Sequence, residues 1–249
     1  MYLPTLGAGF VWDDHFIVTA NRQIRSLADL PALLTSHAFA GAGEVLGRER
    51  LVEYYRPVWT LSLAVDHALW GLRPFGYHLT NLLLHATTSV AVFGLARARL
   101  GGLTAPLVAA LFFAVNPAHV EAVAWVSSRN EVLAGLFVAI ALAAYAAWRG
   151  GGGPRAAFVC GAASALALLS KETAVALPLM AAAFEALPGP GGGVTTVKNA
   201  MFGFAPEFLI GKGKGGSDLF GLDFEAVYGE TADFTFSSEM AEGEPKGRA

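Results

Sequence analysis

From residue 77 to residue 187 the chain alternates apolar runs with short polar breaks, and that pattern leaves few folds open. The runs cover residues 77–96, 103–115, 132–148, 155–169 and 173–187. A helix that crosses a bilayer needs roughly 20 apolar residues. Several runs are shorter, which a packed bundle in a thinned bilayer tolerates. Small residues crowd 139–147 and 161–167, which favours close approach of helices. Only 15% of the residues are charged, against about 25% in a soluble domain. The expectation is an all-α membrane protein: a multispanning helical bundle of about five spans, with further helices in its outer-face loops.

Arginine placement gives the orientation. Arg97 and Arg99 sit in the break at 97–102, and Arg149 and Arg155 frame the Gly-rich break at 149–155. By the positive-inside rule these two loops face the cytoplasm. The breaks at 116–131 and 170–172 then face outside, together with residues 1–76. That first segment carries Arg22, Arg25, Arg48, Arg50, Arg56 and Arg73, but the rule loses force in loops longer than about 60 residues.

The chain therefore divides into three parts. Residues 1–76 form an extracytoplasmic first loop with interfacial helices, residues 77–187 the transmembrane bundle, and residues 188–249 a Gly-rich linker and polar tail. In the first part, Pro57 and Pro74 bracket a helix of about four turns. Its Trp59 and Trp70 suit a helix lying in the membrane interface. The stretch at 41–50 reads as a loop. The tail carries five Lys/Arg and nine Asp/Glu, which leaves the remainder of the chain at net +1. It reads as weakly structured or as a few strands, of unknown function. Its GKGKGG lacks phosphate-loop spacing. No basic patch points to nucleic acid. The first ten residues lack the basic start of a secretory leader, and no repeat of about 34 residues is visible. Cys160 is the single cysteine, so no internal disulfide is possible.

The break at 116–131, NPAHVEAVAWVSSRNE, holds more chemistry than a connection requires. It carries His119, Glu121, Arg129 and Glu131 around Trp125, and ionisable groups at a membrane edge are costly to place idly. Asn116-Pro117 reads as a helix cap followed by Pro at the first helical position. Ser128 and Glu131 fit a capping box, which accounts for Glu131 locally. Trp125 and Arg129, four apart, fit a stacked pair. His119 and Glu121 are two apart and share no helical face. The spacing is not HExxH and no third convergent ligand is evident, so a divalent metal is left open but not supported. Elsewhere Asp13 and Asp14 are adjacent, Asp66 and His67 lie in the bracketed helix, and Lys171 and Glu172 open the last run. A solvated turn accounts for the aspartates, and a local ion pair or interface anchor for Lys171 and Glu172.

Taken together, FVWDD, YRPVWTLSLAVDHALWG, PFGYHLTNLLLH, NPAHVEAVAWVSSRNE and LLSKETAVALPL resemble the membrane part of the transmembrane and tetratricopeptide-repeat-containing O-mannosyltransferases. Their bacterial relatives, polyprenyl-phosphate-sugar glycosyltransferases of the C superfamily, share the pattern. The resemblance covers roughly residues 2–187. It implies a multi-pass enzyme of a bacterial inner membrane or an endoplasmic-reticulum-type membrane, with its site in outer loops. The partners it implies are membrane lipid, a polyprenyl-phosphate sugar, with mannose the expected sugar, and a protein acceptor. The lipid-linked sugar is a substrate, and no cofactor is implied. Asp13 and Asp14 fall on the family's acidic pair, with Asp13 favoured as general base. His119 and Glu121 fall on its HVE motif. Lys171, Arg129 or protonated His119 would meet the lipid phosphate, and Glu121 and Glu172 would help hold the substrates. The family pattern also implies a preceding helix, later spans and repeats outside these residues. The alternative is therefore an inactive truncated scaffold or gene fragment. A transporter fragment is disfavoured, because its charges would lie inside spans, whereas most here lie in loops, apart from Asp66 and Glu185.

Overall fold

Proline and glycine set the helix limits before packing is considered. Pro57 and Pro74 each open a helix at a first-turn position, where the missing N–H has no intrahelical partner to lose. Gly71 closes the first of these helices at φ +60°, a conformation that favours glycine. In the first turn of the next, Gly76 lies against Trp70, whose indole fills the space that a Cβ at Gly76 would need.

The computed structural model describes residues 1–42 and 54–186. The linker and tail at 188–249, and most of the loop at 41–50, lie outside the described residues. Within them the regular elements are helical: α1 (Leu30–Thr35), α2 (Pro57–Trp70), α3 (Pro74–Leu100), α4 (Thr104–Val115), α5 (Val120–Ala124), α6 (Arg129–Arg149), α7 (Gly153–Ser170) and α8 (Leu177–Ala186), joined by single turns. Three segments are long and apolar enough to cross a membrane: α3, Val126–Arg149 and α7. A fourth is reached if α4 and Pro117–Ala124, bent by 45°, count as one span. The expected fifth, at 173–187, instead divides into the turn Glu172–Ala176 and the ten-residue α8.

The 45° bend is written at Asn116-Pro117. The Asn116 side chain accepts the Ala118 N–H at 3.0 Å, as a helix cap does, and Pro117 begins the new turn. The carbonyl of Asn116 accepts the Tyr2 hydroxyl at 2.6 Å, which fastens the N-terminal segment to the bend.

The helix succession separates two ends. At one end lie residues 1–42, α2, the break at 116–128 and residues 171–172. Here Ile17, Val18, Ile24, Leu33, Trp59, Leu63, Tyr77, Val126 and Leu133 form one buried cluster. Trp59 is 2% exposed and meets Phe39 edge-on at 6.3 Å. Its indole therefore belongs to this core and not to an interface-facing surface. At the other end lie the breaks at 101–103 and 150–152. There the buried carboxylate of Glu185 on α8 pairs with Arg149 at 3.5 Å and Arg99 at 3.8 Å, and Arg99 lies over the Phe184 ring. Along the shaft, the small residues Ala139, Ala141, Ala163 and Ala167 are buried, as close packing of α6 with α7 requires.

Candidate active site

The two adjacent aspartates are used differently. Asp14 is fully buried. Its Oδ1 accepts the Ser127 N–H at 2.8 Å and the Ser127 hydroxyl at 2.6 Å. Its Oδ2 accepts the Val11 N–H at 3.1 Å. Three donors on one carboxylate tie the turn at residues 11–14 to the turn Val126–Ser128. Asp13 is exposed, and among the described residues its side chain accepts no hydrogen bond. Between Val11 and Asp13, Trp12 sits at φ +48°, the one non-glycine residue with positive φ among the described residues. A bulky side chain in that region marks strain held by its surroundings.

The island at 116–131 lies against this turn. Trp125 meets Trp12 edge-on, with ring centroids 6.0 Å apart, so the expected stack of Trp125 on Arg129 is not made. A cavity of about 340 Å³ opens between α3, the bend and α6, lined by His85, Phe113, His119, Glu121, Glu131 and Gly135 among others. His119 rests on Phe113 at 4.4 Å and faces the His85 ring at 5.5 Å. Glu121 is exposed and also borders a second cavity with Val11, Trp12 and Trp125. It is thus common to the two openings.

Lys171 and Glu172 reach this end from the close of α7. They do not pair locally. Lys171 Nζ pairs with Glu131, and Arg56 makes a two-pronged contact with Glu172 at 2.6 and 3.0 Å. The long-range partner takes Glu131 out of its expected capping box: Ser128 precedes α6 without a side-chain cap. Burial, and then the Arg56 cation, hold Lys171 below the ordinary lysine value. The Arg56 hydrogen bonds hold Glu172 below the ordinary carboxylate value.

Arg129 turns inward. It is fully buried, with its guanidinium 2.5 Å from Asp66 Oδ2. It also donates to Asn81 Oδ1 at 2.6 Å, the Tyr77 carbonyl at 2.9 Å and the Ser62 carbonyl at 3.3 Å. Asn81 in turn donates to the carbonyls of Val123 and Trp125. A buried cation is tolerable when paired and hydrogen-bonded in this way. The network fixes the floor of the island; it does not present a charge to a ligand.

Asp13, Trp12, His119, Glu121, Glu131, Lys171 and Glu172 therefore share one end, while Asp14 and Arg129 point into the fold there. Sequence reading missed Arg56, Trp12 and His85. For Arg56 the available signal was an arginine directly before a helix-opening proline. The pairing of Asp66 with Arg129 also went unread; its signal was a carboxylate amid apolar helix, which demands a buried donor. No group of three or more His, Cys, Asp or Glu among the described residues could hold a metal ion.

Comparison with known proteins adds to this geometry. Residues 57–202 match the family profile described as dolichyl-phosphate-mannose-protein mannosyltransferase. The chain is 34% identical over 201 residues to the Drosophila melanogaster protein O-mannosyl-transferase Tmtc2, covering 78% of this chain and 21% of that relative. It is 36% identical over 147 residues to human protein O-mannosyl-transferase TMTC2, covering 58% and 17%. Against human TMTC3 it is 32% identical over 149 residues, covering 60% and 16%. The chain thus spans about a fifth or less of these relatives. No solved structure matches it.

Proposed function

Since the chain belongs to the dolichyl-phosphate-mannose-protein mannosyltransferase family, we propose that it transfers mannose from a polyprenyl-phosphate donor to a protein hydroxyl on the extracytoplasmic side. The observation that carries this reading is the division of labour between the aspartates. Asp14 is consumed in holding the turn, and Asp13 is left exposed at the end where Glu121, Glu131 and Lys171 gather. Arg97, Arg99, Arg149 and Arg155 lie toward the opposite end, which supports assigning the site to the outer side.

A serine or threonine hydroxyl is a poor nucleophile until its proton leaves. Asp13 accepts that proton as general base, a contribution of about 10²–10⁴-fold. The acceptor oxygen attacks the anomeric carbon, and the bond from that carbon to the phosphate oxygen breaks. The lipid phosphate departs with the electron pair as a stable anion, and the anomeric configuration inverts. No proton need be delivered to it. Lys171 meets the departing charge, exchanging its pairing with Glu131 for the phosphate. His119 and Glu121 position the substrates beside the cavity they line, and Glu172 acts through Arg56 on the placement of Lys171. Arg129 is left out of this step because its guanidinium is enclosed and already partnered.

The test uses membranes carrying the chain, incubated with polyprenyl-phosphate radiolabelled mannose. Label is expected on protein. Asp13→Asn, at an exposed position, is expected to lower transfer by about 10²-fold or more with unchanged amounts of protein. Retained transfer removes Asp13 from the mechanism. No transfer by the unaltered chain refutes the reading for this polypeptide.

A further inference from the structure

Trp12 is the least economical residue at this end of the protein. Its backbone sits at φ +48°, a region that disfavours bulky side chains, and its indole is 78% exposed. Neither burial of the ring nor a hydrogen bond from it offsets that cost. The restraint comes from next door: Asp14 holds the turn with three hydrogen bonds. The result is a ring displayed edge-on to Trp125 at 6.0 Å, over a cavity of about 530 Å³ bordered by Val11, Trp12, Glu121 and Trp125. Asp13 follows Trp12 directly.

A tryptophan face supplies a large, rigid apolar surface, and the C–H face of a pyranose is its natural complement. The hydroxyls around a pyranose edge need acceptors, and an exposed carboxylate such as Glu121 is one. Anchoring in a membrane interface also uses tryptophan. It needs neither a carboxylate at the ring nor a strained turn beside a candidate base. The pairing of aromatic face, carboxylate and adjacent base is what a sugar-reading surface requires.

We propose that Trp12, with Trp125 and Glu121, forms the subsite that holds the hexose ring of the donor: the sugar stacks on Trp12, and its hydroxyls donate to Glu121. This rests on the transferase reading above and adds to it which residues recognise the sugar as distinct from the lipid phosphate. Asp13, which takes the acceptor proton in that reading, follows Trp12 directly in the chain. The donor's phosphate lies toward Lys171 and Glu131 across the cavity that Glu121 shares.

The experiment measures binding to the purified chain in detergent by calorimetry, with two probes. One is a short-chain prenyl-phosphate mannose; the other is the same prenyl phosphate without the sugar. Trp12→Ala keeps the backbone torsion and removes the ring, and the exposure of that ring predicts unchanged thermal unfolding. It is expected to weaken the mannosylated probe by about 10-fold and to leave the sugar-free probe within about twofold. Trp12→Phe, which keeps an aromatic face, is expected to retain most of the affinity. Glu121→Gln, which cannot accept at both oxygens, is expected to weaken the mannosylated probe alone. Equal loss for both probes assigns the ring to the lipid or the bilayer and overturns the subsite, while the transferase reading stands. No change for either probe overturns it likewise. If the unaltered chain binds neither probe, the transferase reading fails and the subsite with it.

Discussion

Removing the Arg129 guanidinium tests whether that residue serves the fold or the substrate. Arg129→Met leaves Asp66 buried at 2% exposure, with only the Thr80 hydroxyl at 2.7 Å, among the described residues, still donating to it. Breaking a buried pair from one side costs about 3–5 kcal/mol, because the surviving charge is uncompensated. In a chain of this size that corresponds to a fall in unfolding temperature on the order of 10 °C. Asp66→Leu alone strands the guanidinium and carries a similar penalty. The double variant Asp66→Leu/Arg129→Met removes both charges and is expected to recover most of the loss, since apolar replacement of a whole buried pair is often neutral. The assay is thermal unfolding in detergent for all four members of the cycle, with the coupling read as the departure from additivity. Donor binding is measured on the same samples. Additive losses would refute the structural assignment. A double variant that unfolds like the unaltered chain yet no longer binds a prenyl-phosphate sugar would return Arg129 to the substrate site.

Two further outcomes follow from the same end of the bundle. Asp14→Asn turns an acceptor-only group into one with an N–H₂ that must face either Val11 or Ser127, both donors here. A loss of about 1–3 kcal/mol is expected, together with faster proteolysis around residues 9–13, and unchanged digestion kinetics would contradict the tie. Lys171 is held below the ordinary lysine value by burial and by Arg56, so it loses its proton at lower pH than a free lysine. Donor binding should therefore decline as pH rises through that lowered value, at lower pH than a free lysine would dictate. Lys171→Arg should carry the affinity to higher pH, and an alkaline limb unmoved by this change would exclude Lys171 as the titrating group.

The parts of this structure legible in the sequence were local ones. Pro57, Gly71 and Pro74 delimit α2 through backbone chemistry that needs no neighbours, and the Asn116-Pro117 cap is of the same kind. Alanine-rich stretches in α6 and α7 marked a helix contact because small residues have few other uses there. What escaped were the polar contacts made across the chain. Arg56 and Glu172 are 116 positions apart, and no spacing rule joins them. Glu131 satisfied a local capping pattern, yet Lys171 took it. Neighbouring aspartates look alike in sequence, whereas a single turn sends Asp14 inward and Asp13 out. The apolar run at 173–187 read as one helix because composition does not report the turn Glu172–Ala176.

Glu185 gives the arginine-rich end a history as well as a geometry. Segments emerge from synthesis N-terminal first, so Arg99 and Arg149 meet the insertion machinery before Glu185 exists. During that interval they are bare cations, the state in which such residues dictate topology. Once α8 docks, its carboxylate claims both. With this end on the cytoplasmic side, as proposed above, the same two side chains would act first as an address label and afterwards as a rivet, with the order of translation keeping the jobs apart.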